Sequence, residues 1–433
     1  MRSWRIISIA LYNYKVVILA YTLFNILFVI LSKQYFGKLM NPLSLYSIVW
    51  QLALTIHESG YIVYNELSIL TWIVIIFSQI CFCCGFISIK KRYIKPTKAL
   101  NTATYKKNIE KYLWICMIFS AISILSSLAL VISIYGTNLI ANVTNVYVDR
   151  VNNNVDYQVI PYIGALIYVG LPLSAIHMKS YGFSIWPIIY FVLIFINSLI
   201  SGARAGIVFS IFIFVFAYFY TDTESKERKL KNNQKKSNLP IIICVTLLMA
   251  MFILISSKRA AGVEIPYATN QFISHFGYNE LIYKLFAYVA NPVGVLNEFL
   301  KKPEFNFGHN TFLPLYNILA KIGLMERVEQ YQSWYYVPAA CNVGTWLREL
   351  FEDFSILIFP FIFIFGRISC RIYWNSIKGK STGHLLMLSI IFTMIGLSFF
   401  DWKMRTSSMW IAFLFAYLWG KKIDKKSYIW YQS

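Results

Sequence analysis

IWPIIYFVLIFINSLISGARAGIVFSIFIFVFAYFY, residues 185–220, is the stretch that decides the fold. Two apolar runs, Ile185 to Ile200 and Ile207 to Tyr220, flank a short polar interruption, Ser201-Gly202-Ala203-Arg204-Ala205-Gly206. A helix needs about 20 mostly apolar residues to cross roughly 30 Å of hydrocarbon. The stretch therefore reads as two membrane spans joined by a tight hairpin, with Arg204 at the tip. An arginine at the end of a span is costly unless it reaches water, an anion or another partner, which makes Arg204 a candidate functional residue.

Working outward, runs of the same kind recur through all 433 residues, which are 58% hydrophobic and 14% charged, more apolar than a soluble core of this length uses. The spans are expected at 15–32, 43–57, 67–89, 113–134, 160–178, 184–202, 204–221, 239–256, 351–372, 383–400 and 407–420. The fold class is all-α: a polytopic integral membrane protein with about 11–12 transmembrane helices and one long folded extracytoplasmic loop. The domains follow as 1–256, N-terminal spans including the 201–206 tip; 257–350, the long loop; and 351–433, C-terminal spans and a cytoplasmic tail. The first apolar run lacks a small-residue cleavage pattern and reads as an uncleaved span.

A net charge of +21 would suggest nucleic acid in a soluble protein, but its distribution argues against that partner. Lys90 to Lys111, Asp222 to Asn238, Arg367 to Lys380 and Lys421 to Ser433 together hold 22 basic residues against 5 acidic. Basic loops mark the cytoplasmic side, so these four segments share one face and the C-terminus is cytoplasmic. The charge reports topology and contact with membrane lipid. Segments 135–159 and 257–350 then lie outside. Two spans before Leu67 would leave Arg2, Arg5 and Lys15 outside, against the rule; one span, or an extra hairpin within residues 4–32, would keep them in.

Segment 257–350 is nearly balanced, with eight basic and seven acidic residues, and rich in Tyr, Phe, Asn, Gly and Pro, a mixture that folds. Within it, Ile282 to Leu300 carries apolar residues near a 3.6 period and suits a helix lying on the membrane or on the bundle. Six of the seven cysteines fall in or beside spans, so no disulfide framework is implied, and Cys81-Phe82-Cys83-Cys84 has no histidine or further cysteine at ligand spacing. There is no P-loop, Gly-x-Gly-x-x-Gly, His-Glu-x-x-His or Asp-x-Asp. Nucleotide hydrolysis and the common metal chemistries thus lack sequence support, and neither a metal nor a cofactor is expected.

The charges expected on the outer face are few: Asp149, Arg150 and Asp156; Arg204; Lys258 and Arg259; Arg348, Glu349, Glu352 and Asp353; Asp401, Lys403 and Arg405. Arginine's planar fork suits phosphate oxygens, so Arg204, Lys258, Arg259 and Arg348 are the candidates to hold a lipid-linked diphosphate. Snorkelling to lipid phosphates is the bland alternative for Arg204, an i,i+4 pair with Glu352 for Arg348, and anchoring a short turn for Lys403 and Arg405. Of the outer histidines, His309 sits in a turn-like Phe307-Gly308-His309-Asn310-Thr311 and suits proton abstraction from a sugar hydroxyl; a structural role is the alternative. Trp346 is a candidate to stack on sugar rings, as are Trp334, Tyr335 and Tyr336.

The Ser-Gly-Ala-Arg-Ala-Gly tip, the long late outer loop, Gly-His-Asn-Thr-Phe-x-Pro at 308–314 and the Asn342 to Phe354 stretch resemble the O-antigen polymerase family, Wzy-type oligosaccharide repeat-unit polymerases, and more distantly the related O-antigen ligases. The resemblance implies transfer of a growing glycan from undecaprenyl diphosphate to a hydroxyl of a fresh lipid-linked repeat unit, at the outer leaflet of the bacterial cytoplasmic (inner) membrane. It implies no metal and no cofactor, and a chain-length regulator protein as partner. Arg204 and Arg348 match the family's outer-face arginines and His309 its long-loop histidine; Glu304 is a second candidate base, and Asn310 and Trp346 fall on the acceptor side. A ligase with a different acceptor, or a lipid-linked oligosaccharide flippase, are the alternatives. Only Gly323 follows His309-Asn310 nearby, so the glycine-rich continuation common in ligases is lacking.

Overall fold

The computed structural model describes residues 2–89, 99–100, 102–152, 157–221, 267–328, 332–377 and 381–429, with isolated positions between 246 and 257. Its helices are α1 (Arg2–Phe36), α2 (Pro42–His57), α3 (Ile69–Ile87), α4 (Thr102–Tyr135), α5 (Leu139–Asn152), α6 (Ile167–Tyr181), α7 (Trp186–Ser201) and α8 (Ala205–Tyr220). They continue with α9 (Asn270–Phe276), α10 (Glu280–Lys301), α11 (Leu313–Lys321), α12 (Trp346–Phe354), α13 (Ile358–Ile377), α14 (Thr382–Gly396) and α15 (Ser407–Ser427). Strands among the described residues are two-residue pairs, Ala99–Leu100 with Tyr428–Ile429 and Tyr335–Tyr336 with Ala340–Cys341.

Among the described residues, five stretches are long and apolar enough to cross a membrane: Val16–Phe36, Ile69–Ile87, Thr102–Tyr135, Ile163–Tyr181 and Trp346–Ile377. Trp186–Ser201, Ala205–Tyr220 and Thr382–Gly396 are shorter apolar helices. The chain is an all-α, multi-pass membrane protein. The span expected at 239–256 lies mostly outside the described residues. Two local expectations change. Residues 2–36 form one continuous helix, with no hairpin inside it. The span expected at 351–372 is interrupted: α12 stops at Phe354, Ser355 takes φ 50°, and a 3₁₀ turn, Ser355–Leu357, leads into α13.

Packing follows from small residues and buried amides. A Cβ on Gly85 would lie 2.0 Å from the carbonyl oxygen of Phe363, and one on Gly366 would lie 2.4 Å from that of Phe82. The two glycines therefore let α3 and α13 touch backbone to backbone, the contact that membrane helices use in place of hydrophobic drive. Gly366→Ala is expected to cost roughly 1–3 kcal/mol by overpacking, whereas Gly396→Ala, whose added methyl would meet the Phe212 ring at 3.7 Å, serves as control. Thermal unfolding of the two purified variants checks this, and equal midpoints would refute it. Between α1, α2 and α3, Gln79 accepts from Tyr21 Oη at 3.0 Å and donates to Asn25 at 2.6 Å and Ser47 at 2.8 Å. That satisfied network binds three helices together where water is absent.

The helix ends sort into two sets. At one end, Tyr105 meets Thr382 at 2.9 Å, Asn108 donates to Ser427 at 3.0 Å, Tyr35 donates to the Ile89 carbonyl at 3.3 Å, and Lys38 lies over the Tyr220 ring. These described residues, which apart from Tyr35 and Lys38 lie within or beside the four basic segments in sequence, gather at one end of the bundle. The turn between α1 and α2 lies at that same end, so the start of α1 points to the other, and Arg2, Arg5 and Lys15 do not follow the charge rule.

The opposite end carries the rest of the polar architecture. There α10 lies on the bundle, burying Val293, Leu296, Phe299 and Leu300, while its Asn297 accepts from Ser68 N and Thr71 Oγ1, both at 2.8 Å. The α7–α8 hairpin turns through Gly202 at φ +61°, where a side chain would also strike α5, with Tyr147 Cβ at 2.7 Å. Arg150 of α5 donates to the Ser201 carbonyl at 3.3 Å. Further out, α11 buries Leu313 and Pro314 but leaves Leu315, Ile318 and, just after it, Ile322 exposed.

Candidate functional site

The site is built around α12, a short helix with an unusual content: Arg348, Glu349, Glu352 and Asp353 are all buried. Its start is fixed by Thr345, whose hydroxyl accepts from Arg348 N at 3.2 Å, and by Trp346 N donating to the Ser398 carbonyl at 2.9 Å. Gly344 makes room for the arginine, because a Cβ there would lie 2.3 Å from Arg348 Cδ. The helical repeat then puts Arg348 beside Glu352, and Arg348 Nε donates to Glu352 Oε1 at 2.8 Å. Its Nη2 donates to Ser333 Oγ at 2.9 Å, Tyr335 stacks 4.9 Å away, and Nη1 is buried with no hydrogen-bond partner.

Asp353 and the second oxygen of Glu352 hold a loop. Asp353 accepts from Asn310 N at 2.8 Å and Thr311 N at 2.6 Å, and Glu352 Oε2 accepts from Asn310 Nδ2 at 2.9 Å. The chain can wind this tightly because Phe307 at φ 51° and Gly308 at φ 91° both take left-handed backbone. His309 is thereby fixed half-buried, edge-on to Tyr316 at 4.6 Å.

Two adjoining cavities open here. The smaller, about 510 Å³, is lined by Glu304, His309, Asn310, Arg348 and Glu352, together with Arg327, Gln332 and Arg405. The larger, about 780 Å³, is lined by Arg150, Lys321, Glu349, Asp401 and Lys403, and again by Arg327, Gln332 and Arg405. Lys403 is paired to Asp401 at 2.6 Å, and Lys321 donates to the Tyr162 hydroxyl at 2.9 Å. Five basic side chains around one space suit an anion of more than one charge, and charge-assisted bonds in a partly dehydrated site are short and strong. Among the described residues no three His, Cys, Asp or Glu converge as a metal-ligand set.

The residues singled out from sequence separate into groups. Arg348, His309, Glu304 and Asn310 come together at the smaller cavity. Arg204 lines neither cavity; it immediately precedes α8, donates to Ser256 Oγ at 3.4 Å and lies over the Tyr288 ring at 5.7 Å. Lys258 and Arg259 lie outside the described residues. Trp346 is fully buried among Tyr46, Phe365 and Trp402, so its ring belongs to the core and faces neither cavity.

None of the five basic residues lining the larger cavity is among the diphosphate candidates drawn from the sequence. Arg150 and Arg405 carried a signal as outer-face charges, but Arg405 read as a turn anchor. Arg327, with Lys321, carried none beyond lying in the long loop.

A family model described as O-antigen polysaccharide polymerase Wzy matches residues 3–334 of the chain, which takes in Arg204 and His309 and stops short of α12. No curated protein and no solved structure matches it.

Proposed function

Because the chain belongs to the O-antigen polysaccharide polymerase Wzy family, its general role is to polymerise polysaccharide, and we propose that its donor is a glycan on a polyprenyl (undecaprenyl) diphosphate. The acceptor in this reading is a hydroxyl of a second lipid-linked repeat unit. The reaction runs at the outer face of the cytoplasmic membrane, with the C-terminus inside. The observation that carries the reading is the pair of adjoining cavities sharing Arg405, at the end of the bundle away from the basic segments.

The leaving group is already a diphosphate, so the chemistry asks for charge stabilisation as the anomeric C–O bond breaks. In this reading the diphosphate occupies the larger cavity, met by Arg150, Lys403 and Arg405. Preorganised cations there act on charge that develops only as the bond breaks, and removing one such group typically costs 10²–10³ in rate. Arg348 forms the floor of the smaller cavity, with Nη1 in reserve, and His309 with Asn310 borders the incoming acceptor sugar. Arg204 holds the phosphate of the second lipid carrier at the hairpin tip, with Lys258 and Arg259 following Ser256 in sequence.

Gene deletion followed by sizing of the surface polysaccharide tests this. The expected result is single repeat units attached at the surface, restored to long chains by the wild-type gene. Long chains left on the lipid carrier would indicate a ligase instead, and units trapped inside the cell a flippase.

A further inference from the structure

The carboxylates around the two cavities are not equivalent, and their hydrogen bonds separate them. Glu352 has one oxygen on Arg348 and the other on Asn310. Asp353 gives both oxygens to backbone N–H groups of the 306–311 loop. Asp401 also has a buried oxygen without a hydrogen-bond partner, Oδ1, but its Oδ2 is paired to Lys403 at 2.6 Å. Glu304 is exposed. Glu349, the least exposed of these at 2%, stands on the wall of the larger cavity with Oε2 lacking any hydrogen-bond partner. A buried oxygen left unsatisfied costs free energy that a merely structural side chain has no reason to carry.

We propose that Glu349 is the general base that takes the proton from the acceptor hydroxyl. The inference rests on the polymerase reading and assigns one step within it. As the acceptor O–H bond breaks, its proton passes to a Glu349 carboxylate oxygen. The acceptor oxygen forms its bond to the anomeric carbon, and the C–O bond to the diphosphate breaks. That electron pair leaves on the phosphate oxygen, toward Arg405. The charged groups acting on Glu349 are Arg405 and Asp401 from the turn after α14, and Arg348 and Glu352 from its own helix. Arg405 therefore touches both sides of the reaction: it borders the proton acceptor and the cavity assigned to the leaving group. General-base catalysis needs a carboxylate within hydrogen-bond reach of the proton it removes, and the larger cavity beside Glu349 adjoins the smaller one that holds the acceptor sugar, so the reacting hydroxyl can reach across their shared rim at Arg405.

The test uses the full-length protein in lipid nanodiscs with a polyprenyl-diphosphate-linked repeat unit as donor and acceptor. Glu349→Gln should lower kcat by about 10²–10⁴-fold with KM within about threefold of wild type, the pattern of a group that acts in the transition state. Wild-type kcat should fall at acid pH. Glu349→Asp should retain reduced activity with that acid limb, as should His309→Ala, while the residual rate of Glu349→Gln should lack it. Should Glu349→Gln turn over within about threefold of wild type, another group removes the proton and the polymerase reading stands. Should the wild type itself fail to elongate the donor, both fall together. If Glu349→Gln does not fold, Glu349→Asp decides: wild-type rate and pH profile in that variant overturn the assignment.

Discussion

Arg405→Ala is expected to lower the rate of chain elongation by about 10²–10³-fold at an unchanged amount of folded protein. The expectation comes from position. Arg405 sits in the 3₁₀ turn Lys403–Arg405, half-buried, lines both cavities and acts electrostatically on Glu349. Arg327 also lines both cavities but is exposed, so water and salt screen it. Arg327→Ala is therefore expected to change the rate by less than about tenfold. Elongation of a lipid-linked repeat unit in nanodiscs, with the protein quantified in each sample, measures both. Equal effects for the exposed and the half-buried arginine would remove the argument from position, and an Arg405→Ala rate within about threefold of wild type would remove Arg405 from the diphosphate site.

Arg348→Ala is expected to act first on stability, costing about 3–5 kcal/mol, because it strands a buried carboxylate. The side chain is fully buried, and its removal leaves Glu352 without its cation and Ser333 without its donor. Glu352 in turn holds Asn310, so the 306–311 loop is expected to loosen with it. A short-chain phenotype in Arg348→Ala cells would thus mix lost folding with lost chemistry. Arg348→Lys separates the two: it keeps the charge but lacks the planar fork that reaches Glu352 and Ser333 together. Thermal unfolding of purified Arg348→Ala and Arg348→Lys, compared with their protein levels in cells, measures this. Unchanged unfolding of Arg348→Ala would show that the ion pair contributes nothing to the fold.

Much of the architecture is legible in the sequence because a bilayer imposes a simple rule: apolar runs become helices whose backbone groups bond internally. The 185–220 stretch needs no other information, and its Gly202 turns the chain where the hairpin requires it. The basic segments report which helix ends gather together, as the Tyr105–Thr382 and Asn108–Ser427 bonds bear out. What escaped the sequence depends on contacts between distant segments. Nothing local interrupts 351–372; α12 stops where Glu352 and Asp353 turn to hold a loop some 43 residues earlier. Arg405 gains its place because the 401–406 turn folds back onto α12 through the Trp346–Ser398 bond, a juxtaposition no spacing rule announces. Trp346 misleads in the opposite sense, since an aromatic beside a candidate site reads the same in one dimension whether it faces a cavity or the core.

The outward face of α11 bears on how this protein should be handled at the bench. Leu315 and Ile318 of the short helix whose Asn317 and Lys321 line the larger cavity are exposed, as is Ile322 just after it. A micelle coats exposed hydrocarbon wherever it finds it, so surfactant bound to those three side chains sits at the rim of the chamber and competes with a lipid-tailed donor for access. Activity lost on solubilisation and recovered on returning the protein to a bilayer would then record occlusion of that rim, and a kinetic comparison of variants belongs in discs or vesicles.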